Sequence, residues 1–78
     1  MKVKVKFSGA FDAYKSDADN EFDVFCFDSP VTAGDVIKKT KIPGSLPKLI
    51  LINGMVRNKD HVLQEGDTLS IFPAMAGG

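Results

Sequence analysis

The chain ends on the sequence Thr68-Leu69-Ser70-Ile71-Phe72-Pro73-Ala74-Met75-Ala76-Gly77-Gly78. Polar and apolar residues alternate over its first five positions, which predicts a strand with Leu69 and Ile71 in the core. Pro73 lacks the N–H that a sheet ladder needs, so the strand is expected to end just before it. We therefore divide the chain into a folded domain, residues 1–72, and a flexible tail, residues 73–78.

The two terminal glycines predict a chemical role for the tail. Residues without side chains can enter a narrow channel and carry the carboxylate of Gly78 into another protein's active site. A carboxylate is inert until it is activated, for instance as an acyl-adenylate from which a nucleophile displaces AMP. We predict that Gly78 is the reactive group. Because Gly77 and Gly78 could also reflect ordinary fraying of a terminus, this prediction depends on the residues before them.

Length and composition indicate one small globular domain. The 78 residues are 44% hydrophobic, with ten basic and ten acidic side chains and a formal net charge of zero. This balance argues against a nucleic acid or a membrane surface as the main partner. The apolar run from Leu49 to Ile52 is too short to span a bilayer, and the N-terminus lacks the core of a signal peptide. One cysteine cannot form an internal disulfide, and we expect a cytoplasmic protein.

The first predicted strand covers residues 2–7, in which lysines alternate strictly with apolar residues. This pattern predicts that the lysines lie in solvent and that the apolar residues Val3, Val5 and Phe7 lie in the core. The following residues, 8–20, are polar and irregular, although Phe11 could attach a turn of helix to the core.

The second predicted strand covers residues 21–27 and runs antiparallel to the first. We expect its inward face to contain Phe22, Val24 and Cys26, with Cys26 as inert core filler. In this antiparallel pairing Glu21 and Asp23 lie opposite the lysines, and Phe25 and Phe27 point outwards; the alternative for Phe27 is that it turns into the core at the strand end. Exposed aromatic side chains on a sheet face are typical of a docking surface.

One helix is predicted after residue 31. Thr32 and Asp35 have the spacing of a capping box, and Val31 and Val36 have the spacing of a hydrophobic staple. The sequence Ile42-Pro43-Gly44 is expected to end the helix, which gives it eight to ten residues. Its inward side is predicted to contain Ala33, Val36, Ile37 and Thr40.

Residues 48–52 are apolar at nearly every position, which predicts a strand inside the sheet. Asn53-Gly54 is a strong signal for a tight hairpin, with residues 55–57 returning as a short strand. The predicted order is strand, strand, helix, strand, short strand and last strand. We therefore predict an α+β fold of the β-grasp type, with a mixed sheet of four to five strands and one short helix across one face.

The C-terminal third resembles the ubiquitin-like sulfur carriers of the MoaD/ThiS family, and most closely the small subunit of molybdopterin synthase. The resemblance rests on an apolar strand that ends in Asn, a tight turn, a Gly-Asp turn, a second apolar strand and terminal Gly-Gly. These features lie in Ile52-Asn53-Gly54-Met55-Val56-Arg57 and in Leu63-Gln64-Glu65-Gly66-Asp67-Thr68-Leu69-Ser70-Ile71-Phe72-Pro73-Ala74-Met75-Ala76-Gly77-Gly78.

The resemblance implies a sulfur carrier rather than an enzyme. An E1-like adenylyltransferase would use ATP to adenylate Gly78, and the adenylate would become a thiocarboxylate that donates sulfur in molybdopterin biosynthesis. The implied partners are this activating enzyme and the large subunit of molybdopterin synthase, or an equivalent sulfur acceptor. Gly77 would accompany Gly78 into both active sites. The predicted partner-binding residues are Phe25, Phe72, Pro73, Ala74, Met75 and Ala76.

Other functions remain open at this point. The same activated tail would serve a ubiquitin-like protein modifier, or a sulfur carrier for thiamine or for tRNA thiolation. A β-grasp interaction module with an accidental tail is the third class. His61 has no second histidine and no cysteine pair at ligand spacing, so we expect no metal site and no bound cofactor.

Overall fold

A computed structural model describes residues 1–16 and 19–74 of the chain. These residues form a five-stranded sheet, a 3-10 helix η1 and an α-helix α1. In chain order the elements are β1 (Lys2–Phe7), η1 (Gly9–Tyr14), β2 (Asp23–Cys26), α1 (Ala33–Lys39), β3 (Lys48–Ile52), β4 (Met55–Val56) and β5 (Thr68–Pro73).

The strands lie in the order β2-β1-β5-β3-β4. The central pair, β1 and β5, is parallel, and the other neighbouring strands are antiparallel. Helix α1 packs against one face of this sheet through Ala33, Val36 and Ile37. This is the β-grasp fold, as predicted. The buried core contains Val3, Val5, Phe7, Phe11, Ala33, Val36, Ile37, Ile42, Ile50, Ile52, Leu63, Leu69 and Ile71.

Strand β5 has the predicted alternation but is longer than expected. Leu69 and Ile71 have no exposed surface, and the strand continues through Pro73, which pairs with Lys48 on β3. A proline at the last position of a strand leaves the preceding ladder intact. Ala74 is also bound to the body of the protein, so the folded domain extends beyond residue 72. The remaining tail, residues 75–78, lies outside the described residues.

Strand β2 runs antiparallel to β1, as predicted, but its side chains face the opposite way. Phe25 lies opposite Val3, which is completely buried. Phe25 and Phe27 pack against the core, whereas Val24 and Cys26 are exposed. The predictions that Cys26 is buried and that the two phenylalanines face outwards are therefore wrong.

The β2 segment permits both orientations because apolar residues occur at odd and even positions of residues 21–27. The observed register packs two partly buried phenylalanines against the core, where the alternative would place Val24 and Cys26 beside one phenylalanine, Phe22. It also brings Asp23 to the core face, where the backbone N–H of Ser16 donates to its carboxylate at 2.9 Å. Placing Asp23 opposite the lysines was wrong, but Glu21 does lie 3.4 Å from Lys6 Nζ.

Helix α1 begins as predicted and ends early. The Asp35 N–H donates to Thr32 Oγ1 at 3.1 Å, and the Thr32 N–H donates to Asp35 Oδ2 at 3.0 Å, which completes the capping box. The helix contains seven residues, because the Thr40 hydroxyl donates to the carbonyl of Ile37 at 2.6 Å and terminates it. Ile42 is buried after the helix rather than within it.

Candidate functional site

The base of the tail is fixed by hydrogen bonds from both sides. The Ser8 N–H donates to the carbonyl of Ile71 at 3.0 Å, and the Ala74 N–H donates to the carbonyl of Pro47 at 3.1 Å. Gly9, at φ +59°, lies so close that a Cβ atom there would be 3.4 Å from Cδ of Pro73. The path of the chain is therefore determined as far as Ala74.

Lys48 stabilises the loop that holds Ala74. Its Nζ donates to the carbonyls of Pro43, Gly44 and Leu46 at 3.2, 3.4 and 2.6 Å. The sequence analysis did not identify this role, because a lysine at the start of an apolar strand usually extends into solvent. These bonds tie the loop before β3 to the strand that pairs with the base of the tail.

The length of the tail limits how far its carboxylate can reach. Four residues follow Ala74. A fully extended chain of this length spans at most about 14 Å. In the predicted role of Gly78, the reacting group would therefore lie within this distance of Ala74.

The sheet face opposite α1 presents an apolar patch beside this end. Phe72 lies opposite Leu49 on β3, and Leu51 lies opposite Val56 on β4. Leu49 is 43% exposed and Val56 is 60% exposed, while Phe72 and Leu51 are half-buried. We call these four residues the apolar patch. Exposed apolar side chains in one group are typical of a protein-binding surface.

The other half of the same face is basic. It contains the lysine row, which we define as Lys2, Lys4 and Lys6 of β1. Lys4 Nζ lies 5.7 Å from the centre of the Phe22 ring, and Lys6 forms its ion pair with Glu21. Lys4 and Lys6 therefore each have a partner within the chain.

The predicted partner-binding residues are only partly brought together. Phe72 lies on the open sheet face as expected, but Phe25 packs against the core on the opposite face. Pro73 and Ala74 form the base of the tail. Met75, Ala76, Gly77 and Gly78 lie outside the described residues, so the role of Gly78 stays a prediction.

Sequence analysis missed Leu49, Leu51 and Val56 as members of the patch. The signal was present in residues 48–52, because a strand that is apolar at every position must expose apolar residues on whichever face is uncovered. Which face remains uncovered depends on where the helix packs.

The described part of the chain shows no candidate metal site. It contains no group of three or more His, Cys, Asp or Glu side chains that could hold a metal ion. The pKa of Asp35 is lowered because its carboxylate accepts the capping hydrogen bonds at Thr32, which is a structural role. Within residues 1–16 and 19–74, neither helix has the length and hydropathy needed to cross a membrane.

Comparisons with known proteins are consistent with this geometry. The profile of the ThiS family matches residues 18–78. The crystal structure of SAMP1 from Haloferax volcanii is similar over the full length of both chains, with 17% identity and a TM-score of 0.70. The solution structure of the HVO 2177 protein, also from Haloferax volcanii, has 22% identity and a TM-score of 0.74, covering all of this chain and 87% of the other. No curated protein sequence matches the chain.

Proposed function

Because the chain belongs to the ThiS family of ubiquitin-like sulfur carriers and protein modifiers, we propose that Gly78 carries sulfur as a C-terminal thiocarboxylate. Members of this family work with E1-like activating enzymes and with sulfur acceptors. For this chain we name molybdopterin biosynthesis as the first candidate pathway, because Phe72-Pro73 before a terminal Ala-Gly-Gly resembles the small subunit of molybdopterin synthase.

The observation that carries the proposal is the way β5 leads into the tail. The strand is locked at the centre of the sheet, and its last residues are held by Ser8 and Pro47. A rigid body with a narrow, reactive end can present one carboxylate to two successive enzymes. The body supplies the binding energy that a free carboxylate lacks, which can be used to position the reacting atoms.

The proposed chemistry takes place in two steps. A carboxylate oxygen of Gly78 attacks the α-phosphorus of ATP, and pyrophosphate leaves. Hydrosulfide then attacks the acyl carbon, and AMP leaves with the oxygen that it received, so that a thiocarboxylate remains on Gly78. The activating enzyme supplies the catalytic groups for both steps. The chain itself is a non-catalytic co-substrate, or the small subunit of a synthase whose large subunit transfers the sulfur to a pterin precursor.

The apolar patch is the docking surface for these partners in our proposal. It lies beside β5, so a protein bound there is also near the Ala74 end from which the tail must reach its active site. Interface cores are enriched in aromatic and apolar side chains, which favours the patch over the lysine row.

The test is intact mass spectrometry after incubation with an E1-like enzyme, ATP and sulfide. We expect a mass increase equal to the exchange of one oxygen for sulfur, and its loss when Gly78 is deleted. A Lys41→Ala variant is the matched control, because it changes an exposed residue outside the tail and the apolar patch and keeps both glycines. If no adenylate forms with any activating enzyme from the same cell, the proposal is wrong.

The same tail also supports a second function, attachment to lysines of other proteins, because the family includes protein modifiers. This reading predicts a ladder of conjugates of higher mass that disappears when Gly77 and Gly78 are deleted. An adenylate that forms but never takes up sulfur favours the modifier. Sulfur uptake by the purified chain favours the carrier, and the sulfur acceptor then separates the molybdopterin, thiamine and tRNA pathways.

A further inference from the structure

A groove of about 470 Å³ lies between α1 and the β3–β4 region, on the helix side of the sheet. Its apolar lining includes Ile37, Leu46 and Ile50. Its size falls within the range of about 300–1,000 Å³ that is usual for ligand pockets. The groove adjoins the apolar patch at Leu49, which lines it as well, whereas Phe72, Leu51 and Val56 are not part of its lining.

The charges around the groove all have the same sign. Four basic residues, Lys38, Lys48, Arg57 and Lys59, line it together with no carboxylate. They are four of the ten basic residues in a chain whose net charge is zero. Within the described residues none of the four forms an ion pair, since the salt bridges there involve Met1, Lys6 and Lys15.

Two of these cations donate hydrogen bonds only to neutral groups. Lys48 binds the three backbone carbonyls of its loop, and Arg57 donates to the carbonyl of Val56 at 3.1 Å and lies 3.5 Å from Sδ of Met55. Their positive charges are therefore uncompensated by contact. Lys38 and Lys59 are exposed at the rim.

One backbone hydrogen bond and one lysine side chain make the groove a preformed feature. The Gly34 N–H donates to the carbonyl of Lys59 at 2.8 Å, which joins the start of α1 to the segment after β4. A Cβ atom at position 34 would lie 3.2 Å from that carbonyl oxygen, so glycine permits this close approach. The loop before β3 is fixed in turn by Lys48, so opposite walls are held in place.

We propose that this groove binds an acidic, leucine-rich segment of a partner protein. Apolar side chains of the segment occupy the floor, and its carboxylates pair with Lys38 and Lys59 at the rim. A basic segment would be repelled, and a small polyanion would leave the apolar floor exposed to water. The carboxylates closest in sequence, Asp35 and Asp60, are not part of the lining; the Asp35 carboxylate accepts the Thr32 N–H, and the charge of Lys38 is a smaller contribution to its lowered pKa. The inference does not depend on sulfur transfer, because it concerns binding by the unmodified chain.

The probe is a synthetic peptide, acetyl-Glu-Asp-Leu-Leu-Asp-Leu-Glu-amide, titrated into the ¹⁵N-labelled chain at physiological ionic strength. We expect amide shifts at Gly34, Leu46 and Lys59, and few along the lysine row. The K38E/K59E variant should weaken binding about tenfold or more, because two attractions become two repulsions.

The matched control is K39E/K41E. It changes the net charge equally at two exposed lysines that do not line the groove, and we expect an effect of about twofold or less. A control peptide with serine in place of each leucine should bind at least about tenfold more weakly.

Three outcomes would overturn the inference. The first is an equal effect of both charge-reversal pairs, which would indicate attraction without a site. The second is evidence for a plain anion site: either the serine peptide binds as tightly as the leucine peptide, or tripolyphosphate causes the same amide shifts. The third is the absence of groove shifts at millimolar peptide. Sulfur loading of the unsubstituted chain, measured separately, tests the proposed function, and its failure would leave the peptide-binding result unchanged.

Discussion

One face of β5 is buried in the core and the other is open. Leu69 and Ile71 point into the core with no exposed surface, whereas Ser70 and Phe72 lie on a face that no described element covers. The buried face joins the strand to α1 and to β1, so substitutions there act on folding. The residues of the open face contribute less to the core than Leu69 and Ile71 do, so they are available to contact a partner.

This difference shows how a small domain can separate stability from recognition within a single strand. Along β5 and β3, every second residue lies in the core and the residues between them lie on the open face. Strand β5 also continues into the tail. The pairing of β5 therefore fixes the base of the tail, Pro73 and Ala74, and its open face carries the proposed docking surface. Four predictions test this division, in order of decreasing effect.

The largest effect is expected for Ile71→Ala. Removing a completely buried side chain should lower the free energy of unfolding by about 2–5 kcal/mol. Leu49→Ala on the open face should lower it by less than about 1 kcal/mol. Urea denaturation of both variants measures the difference. Equal losses would show that a partner element or a second copy covers the open face.

The next effect concerns activation rather than stability. Replacing Leu49 and Val56 together by glutamine should reduce the rate of adenylate formation about tenfold or more, because the apolar patch can no longer exclude water at the interface. The matched change of Lys2 and Lys4 to glutamine should alter the rate by less than about threefold. The measurement is the initial rate at a concentration of chain below KM. A larger effect of the lysine pair would move the docking surface to the lysine row.

Phe25→Ala and Phe72→Ala sharpen the comparison between the faces. Phe25 packs against the core, so its truncation should destabilise the fold by about 1–3 kcal/mol and leave KM for the activating enzyme nearly unchanged. Phe72→Ala should raise that KM and have the smaller effect on stability. Thermal unfolding and loading kinetics of the two variants decide between the faces. If Phe25→Ala raises KM in a fully folded sample, the original prediction of a docking role for Phe25 is correct.

The smallest effect is expected from Asp35→Asn, which keeps the capping oxygen and removes the charge. The folded-state pKa of Asp35 lies below its ordinary value of 3.8, so its ionised form stabilises the fold above that value. The contribution is lost as the pH falls through the folded-state pKa. The variant should therefore be slightly less stable at neutral pH and equal to the parent in strong acid. Denaturation curves at both pH values measure this difference. If the variant is less stable than the parent by the same amount at both, the cause is hydrogen-bond geometry rather than charge.

Strand β1, the β3–β4 hairpin and the start of α1 were located correctly because each has one apolar face or a distinct turn or capping signal. β1 alternates lysine with apolar residues, and the hairpin at Asn53-Gly54 has φ values of 52° and 83°, the left-handed angles that a tight turn requires. The capping box at Thr32 located the start of α1. In each case the signal comes from residues close together in the chain, so the neighbours in space need not be known.

The errors occurred where two arrangements satisfy the local pattern. β2 has apolar residues on both faces, and only its pairing with β1 and the packing of Phe27 decide that Phe25 faces the core. The end of α1 was placed too late because the Thr40 hydroxyl competes with the helix for the carbonyl of Ile37.

The order of elements, the alternation of β5 and the terminal glycines that indicate the chemistry could be predicted without coordinates. These properties depend on residue types and spacing over a few positions. The buried face of β2, the apolar neighbours of Phe72 and the meeting of four cations beside α1 follow instead from the packing of the whole domain. Residues distant in the chain become neighbours through strand pairing and helix packing, and the balance of buried area between alternative registers is settled by the whole core.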